Sequence, residues 1–176
     1  RLLVNRDRLT DVGTRDYFFE MMDAVPQAVG VSLMVDIDHF KRVNDGHGHF
    51  FGDAVIRTVA QILKDSVRND DIVCRFGGEE FVIFLSARSD KEGVAVAERM
   101  RRQIEKHPIL FYGDSVSVTV SIGAALKKPT EGIEKSIQRA DAALYCAKKS
   151  GRNRTFFDRS FVYSHNRGTG PQPVHA

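Results

Sequence analysis

Arg75-Phe76-Gly77-Gly78-Glu79-Glu80-Phe81 is the stretch on which the fold of this chain turns. Two apolar segments, 71–76 and 81–85, flank the Gly-Gly pair. The pattern predicts a tight β-hairpin, because glycine accepts the positive φ that two-residue hairpin turns demand. Two adjacent carboxylates follow the turn directly. Paired acids beside a turn made only of glycine point to a place where a ligand or metal approaches the backbone closely.

Working outward, Thr14 is placed to cap a helix through Tyr17, Phe18, Met21 and Met22 that ends before Pro26. Residues 31–37 alternate Val31, Leu33, Val35 and Ile37 and read as a strand ending in Asp36-Ile37-Asp38. A polar loop rich in Gly and His is expected from 44 to 52. A helix then starts at Asp53, with Val55, Ile56, Val59, Ile62, Leu63 and Val67 inward. After the charged connection 68–71 and the hairpin, residues 91–106 are helical and Pro108 stops them. Residues 115–124 alternate as Val116, Val118, Val120 and Ile122, another strand. Ile133 to Lys149 is helical, with Gly151 as its C-cap. The order α-β-α-β-β-α-β-α implies an α+β fold: a largely antiparallel central sheet with flanking helices, akin to ferredoxin-like and polymerase-palm folds. The organisation expected is a lead-in over 1–14, a domain over 15–157 and a disordered tail over 158–176, where Gly168, Gly170, Pro171 and Pro173 accumulate.

The chain has 176 residues, enough for one domain with a sizeable core, and 42% hydrophobic with 28% charged residues is an ordinary globular mixture. Its net charge of +3 is mild, and no long basic block argues for a nucleic-acid partner. Only Cys74 and Cys146 are present, without zinc spacing, and they read as buried thiols in a reducing compartment. No segment is apolar enough to span a bilayer, so no membrane contact by this stretch is expected. The start at Arg1-Leu2-Leu3-Val4, without Met, is what a fragment of a longer protein would show.

Asp36 near a strand exit and Glu79 and Glu80 after the hairpin turn can meet on neighbouring strands of a palm-like sheet. Hard oxygen ligands of this kind suit Mg²⁺, which keeps waters and bridges substrate phosphates. A pair of such ions can clamp the attacking and leaving oxygens of a phosphoryl transfer. Taken singly, each acid reads more simply as a solvated strand-end or turn residue, and Asp53 as a helix N-cap. His39, His47 and His49 have no acidic or Cys partner at zinc spacing.

Four motifs in order carry a resemblance: Asp36-Ile37-Asp38-His39-Phe40-Lys41-Arg42-Val43-Asn44-Asp45; Gly48-His49 with Gly52-Asp53; Arg75 to Phe81; and Ala140 to Lys148 with Gly151-Arg152-Asn153-Arg154. From Asp7 to about Phe157 the chain resembles the catalytic domain of bacterial diguanylate cyclases, the GGDEF family. The resemblance implies condensation of two GTP into cyclic di-GMP with release of two pyrophosphates, on Mg²⁺ or Mn²⁺, in a cytoplasmic homodimer whose parent protein can be membrane-anchored. It also implies roles. Asp36, Glu79 and the Ile37 carbonyl would hold metal, with Glu80 assisting at the second metal or near the attacking 3′-hydroxyl. Asn44 and Asp53 would read guanine, since a carboxylate accepts from guanine N1–H and N2–H₂, which adenine lacks. Lys41, Lys148 and Arg152 would contact phosphates, along with backbone N–H groups near His39 and Phe40. No Walker A loop is present.

Arg68-Asn69-Asp70-Asp71 fits the family's Arg-x-x-Asp inhibitory motif, with Arg99 as a secondary contact for bound product. The plainer reading is a charged loop with a local Arg–Asp pair. One departure stands out. Asp7-Arg8-Leu9-Thr10 matches the family's lead-in, but Asp11-Val12-Gly13-Thr14 replaces the usual Gly-Leu-x-Asn. The alternative function is a non-catalytic domain that senses GTP or cyclic di-GMP; a related cyclase with another product is a third reading.

Overall fold

The computed structural model describes residues 5–160 and 170–175. Its elements run β1 (Gly13–Thr14), α1 (Arg15–Asp23), β2 (Gly30–Ile37), α2 (Phe40–His47), α3 (His49–Asp65), β3 (Ile72–Arg75), β4 (Glu80–Ser86), α4 (Asp90–Glu105), β5 (Ile109–Phe111), β6 (Asp114–Val116), β7 (Val120–Lys127), α5 (Ile133–Lys149), β8 (Thr155–Asp158) and β9 (Gln172–Pro173). The main sheet has the order β1-β3-β4-β2-β7-β8-β9, and β5 and β6 form a separate hairpin. Pairing is antiparallel at β3–β4, β4–β2, β2–β7 and β8–β9. It is parallel at β1–β3 and β7–β8. This is the expected α+β layout.

β2 lies at the centre, and all eight of its residues are buried. The alternation of Val31, Leu33, Val35 and Ile37 identified only one of its two covered faces. Those four pack with Val55, Val59 and Leu63 of α3 and Ala97, Met100 and Ile104 of α4. Met34 belongs to the opposite cluster, with Phe18 and Met22 of α1 and Ile137, Ala140 and Leu144 of α5. Ser32 faces the same way, and its hydroxyl lies 2.6 Å from that of Ser136 on α5. Successive side chains of a strand point to opposite faces. Asp36 therefore shares the α5 face with Ser32 and Met34, and this places its carboxylate.

Several local expectations are corrected. The loop foreseen over 44–52 is almost wholly helical: α2 reaches His47, and α3 starts at His49 rather than Asp53. The apolar stripe of α3 begins at Phe51, one turn before Val55, under a composition dominated by Gly and His. Gly48, at φ 87°, is the joint between the helices. Asp53 lies in the second turn of α3 and is not its N-cap. The strand foreseen over 115–124 is broken, because 117–119 leaves the sheet edge and the Asp38 N–H donates to the Thr119 carbonyl at 2.9 Å. Thr14 does cap α1, accepting from the Tyr17 N–H at 3.2 Å.

Of the tail expected to be disordered, residues 161–169 and 176 lie outside the described residues. Gln172–Pro173 instead form β9 against β8, and Val174 packs on the core. Cys74 is buried, and burial pushes its thiol up to about 12. Cys146 is half-buried rather than buried. No helix among the described residues is long and apolar enough to cross a membrane.

Candidate active site

The antiparallel register sets Asp36 of β2 opposite Glu80 of β4, so both side chains leave the same face of the sheet. One residue on, the Ile37 N–H donates to the Glu79 carbonyl at 3.2 Å. Two sequence-distant acids and the turn acid are thus brought to one end of adjacent central strands. Asp36 is buried, and the Lys148 ammonium from the last turn of α5 pairs with its Oδ2. Burial raises the Asp36 carboxyl from 3.8 to about 6; Lys148 opposes the rise, and the charges of Glu79 and Glu80 add to it.

Between pH 3.8 and about 6 the folded chain holds a proton at Asp36 that the unfolded chain has lost. Stability therefore falls as pH rises through that window, and ionised Asp36 is a standing cost above it. Asp36→Asn is expected to stabilise the domain at pH 8 by about 1–2 kcal/mol, less than the full shift because Lys148 loses its partner. The gain should vanish near pH 4, as read by urea denaturation at both pH values. Equal stability of the two proteins at pH 8 would contradict the assignment.

The Gly-Gly turn differs from the two-residue type expected. The Phe76 N–H (2.8 Å) and the Gly77 N–H (3.3 Å) both donate to the Glu80 carbonyl. Neither glycine has positive φ. A Cβ on Gly77 would lie 3.2 Å from Glu80 Oε2, while one on Gly78 would meet nothing within 4 Å, leaving open ground beside Glu79. Arg75 holds the turn: Nε and Nη2 donate to the Gly78 carbonyl at 3.1 and 2.8 Å, and Nε also reaches that of Gly77 at 3.2 Å. Nη1 donates to both Asp7 oxygens at 3.3 Å. Burial alone would raise the Asp7 carboxyl, but the Thr10 hydroxyl and amide and the Arg75 guanidinium hold it below its ordinary value. The Arg15 guanidinium stacks 4.2 Å from the Phe76 ring centroid. The lead-in, through Asp7, and α1, through Arg15, therefore each hold one flank of the acid turn.

Asp38 is a structural knot. Its carboxylate accepts from the Thr119 and Ser121 hydroxyls at 2.7 and 2.6 Å and from the Asn153 N–H at 3.0 Å. It ties β2 to β7 and to the turn after α5, where Arg152 (φ 63°) is exposed two residues beyond Ser150. His39, also at positive φ, starts the turn into α2, with Phe40 half-buried and Lys41 exposed. No sequence signal marked the partners of Asp38, which lie 81 to 115 residues away.

Asn44 and Gly52 meet between α2 and α3. A Cβ on Gly52 would lie 1.8 Å from Asn44 Oδ1 and 3.1 Å from the Phe40 ring, so any larger residue there would displace the Asn44 amide. The Asn44 Oδ1 is buried with no hydrogen-bond partner among the described residues. An unpaired buried amide oxygen costs free energy that a ligand donor could recover. Asp53, half-buried, follows Gly52 directly on α3.

The charged loop before the hairpin is also rearranged. The Asp71 side chain is fully buried and pairs with Arg88 at 2.9 Å, not with the Arg68 side chain. It further accepts from the Ser86 N–H at 2.9 Å and the Arg68 N–H at 2.8 Å. Arg68 is exposed, and Arg99 of α4 donates to the Ser66 carbonyl at 2.7 Å, two residues before Arg68. Beside Arg99 a groove of about 890 Å³ runs between α3, α4 and the C-terminal segment, with Arg102, Lys106 and His175 on its walls. Arg88 had no signal in the sequence beyond its charge.

The family model described as diguanylate cyclase, GGDEF domain, matches residues 4–154. The chain belongs to the GGDEF family. Diguanylate cyclase A of Treponema denticola is 36% identical over 168 residues, covering 90% of this chain and 45% of the relative. Diguanylate cyclase DosC of Escherichia coli K12 is 40% identical over 153 residues, covering 86% and 33%. This GGDEF domain thus spans less than half the length of these curated relatives. Among solved structures, the GGDEF domain of DgcB from Caulobacter crescentus, in complex with c-di-GMP, superposes with a TM-score of 0.83 at 31% identity, covering 87% of this chain and 92% of that one. Diguanylate cyclase SiaD of Pseudomonas aeruginosa, in complex with its activator SiaC, gives 0.83 at 33% identity, covering 89% and 63%.

Proposed function

We propose that this GGDEF domain condenses two GTP into cyclic di-GMP with release of two pyrophosphates. The observation that carries the reading is the pairing of Asp36 with Glu80 across adjacent strands, with Glu79 in the turn beside them. Three carboxylates at one strand end, with the Ile37 carbonyl next in line and an ammonium already drawn to Asp36, suit a divalent cation such as Mg²⁺ or Mn²⁺. Bound there, such ions would neutralise charge on the α-phosphate and favour ionisation of the attacking 3′-hydroxyl.

The chain's own residues do the rest. Asn44 and Asp53 hold the guanine edge, and the partnerless Asn44 oxygen gains a donor when the base enters. Lys41, Lys148, Arg152 and the backbone N–H groups of His39 and Phe40 receive phosphate oxygens. Glu80 faces the second metal or the 3′-hydroxyl. The open ground at Gly78 lets the nucleotide lie against the turn. Each domain holds one GTP, so two domains must face each other for each 3′-hydroxyl to meet the other α-phosphate, and the working unit is a cytoplasmic homodimer. The test is the chain fused to a dimerising coiled coil, given Mg²⁺ and GTP. Mass spectrometry should find cyclic di-GMP with two pyrophosphates per product. Bound but unconverted GTP in the forced dimer would overturn the proposal in favour of a sensor domain.

Product inhibition is part of the same reading. Arg68 is free to meet a nucleotide, Arg99 stands beside it through Ser66, and Asp71 positions the Arg68 backbone instead of offering a free carboxylate. Arg68→Ala is expected to raise the cyclic di-GMP concentration for half-inhibition by about tenfold, consistent with loss of one charge-assisted contact. Superimposable inhibition curves for variant and parent would remove the inhibitory site from this place.

A further inference from the structure

Lys148 holds a position that the phosphate role alone does not explain. Its ammonium is not turned toward open solvent but pairs with Oδ2 of Asp36, whose side chain is 8% exposed against 33% for the lysine. Asp36, Glu79 and Glu80 offer the hard oxygen donors a divalent cation takes, but among the described residues no three His, Cys, Asp or Glu side chains are drawn together around a metal position. The cluster is thus open, and its most buried carboxylate already has a cation. An ionised buried carboxylate left alone is costly, and a counter-ion offsets its charge when a metal does not. Lysine suits the part, because its compact charge sits on a flexible four-carbon stem. The stem is rooted on a fixed helix, since Ala143, Leu144 and Ala147 of α5 are buried.

We propose that Lys148 is the resident counter-ion of the metal position. It neutralises Asp36 in the empty domain, yields that oxygen when a divalent cation enters, and is thereby released to reach the nucleotide's phosphates. The proposal rests on the reading of Asp36 as a metal ligand. It implies a coupling. A cation arriving alone has to displace Lys148 with nothing to receive it, whereas a cation arriving with a triphosphate offers the ammonium a new anionic partner. Metal and nucleotide then bind more tightly together than apart.

Amine labelling of the full 176-residue chain with an acylating reagent, read lysine by lysine by mass spectrometry, tests this. Without nucleotide, saturating Mn²⁺ should raise the labelling rate of Lys148 by about fivefold, the release expected for a part-exposed ion pair. Lys41 and Lys149 should not change. A non-reacting GTP analogue added with Mn²⁺ should protect Lys148 again. Direct Mn²⁺ binding by paramagnetic resonance should be tighter in Lys148→Met than in the parent, and not in Lys148→Arg. In Asp36→Asn, Mn²⁺ binding should be lost and Lys148 should label quickly without metal. If Mn²⁺ binds in an Asp36-dependent way but leaves Lys148 labelling unchanged, the counter-ion role is wrong and the metal reading survives. If Asp36→Asn leaves Mn²⁺ binding intact, both fall.

Discussion

Asp36→Asn and Glu79→Gln should each lower cyclic di-GMP synthesis by a factor on the order of a thousand, the scale of losing one preorganised charge from a transition state. Both substitutions keep shape and remove charge, so the loss is chemical. Asp36 sits in the register of a fully buried strand, flanked by β4 and β7, and an asparagine there disturbs no packing. Glu79 lies in a turn held through backbone carbonyls by Arg75, so its side chain is not needed to form the turn. The two variants should differ in one respect. Asp36→Asn relieves the cost of an ionised buried carboxylate and should be inactive yet more stable at pH 8. Glu79→Gln should be inactive and gain only a small part of that stability, since it removes a like charge near Asp36 while leaving the buried carboxylate in place. The measurement pairs product formation in a forced dimer with urea denaturation. An Asp36→Asn variant that keeps a tenth of the parent rate would show that the metal-binding role lies elsewhere.

The second large effect is on the fold. Asp71→Asn, or Arg88→Met, should cost about 3–5 kcal/mol, because each leaves a buried charge without its counter-charge. The pair is nearly excluded from solvent, with the arginine side chain 3% and the aspartate 0% exposed. The aspartate also anchors the Ser86 and Arg68 amides, and Arg88 donates to the Ser86 carbonyl at 2.8 Å. Domains of this size hold only about 5–15 kcal/mol in total, so either change should move the denaturation midpoint far. The double variant Asp71→Leu with Arg88→Met should be less damaged than either single one, since apolar groups can replace a buried ion pair at little cost. Single variants within about 0.5 kcal/mol of the parent would contradict the arrangement. This is also why Arg68→Ala, at an exposed position, is the clean probe of product inhibition.

How much of this was readable beforehand depended on range. The hairpin, the apolar faces of α4 and α5 and the Thr14 cap are local patterns, and the sequence displays them. The site's acids are legible because they stand in short contiguous motifs. Other features depend on partners far along the chain. Asp38 looks like one more strand-end acid until Thr119, Ser121 and Asn153 converge on it from 81 to 115 residues away. Asp71 looks paired with Arg68, three residues back, but its charge belongs to Arg88, 17 residues on. The start of α3 was hidden for another reason: Gly46, Gly48 and two histidines mask an apolar stripe that begins at Phe51. The glycines of the turn were expected for a positive φ that neither of them adopts.

The placement of β2 has a consequence for how the molecule is made. Its hydrogen-bonding partners, β4 and β7, are both synthesised after it, and β7 is complete only at Lys127. During translation a strand destined for full burial therefore waits without its second neighbour for roughly 5–20 s at ordinary elongation speeds. For that interval the nascent chain presents an apolar segment with unpaired backbone, the kind of surface that holdase chaperones and neighbouring ribosomes' products compete for. Synonymous changes that slow elongation between residues 37 and 120 should lower the soluble yield of this domain without altering a single side chain.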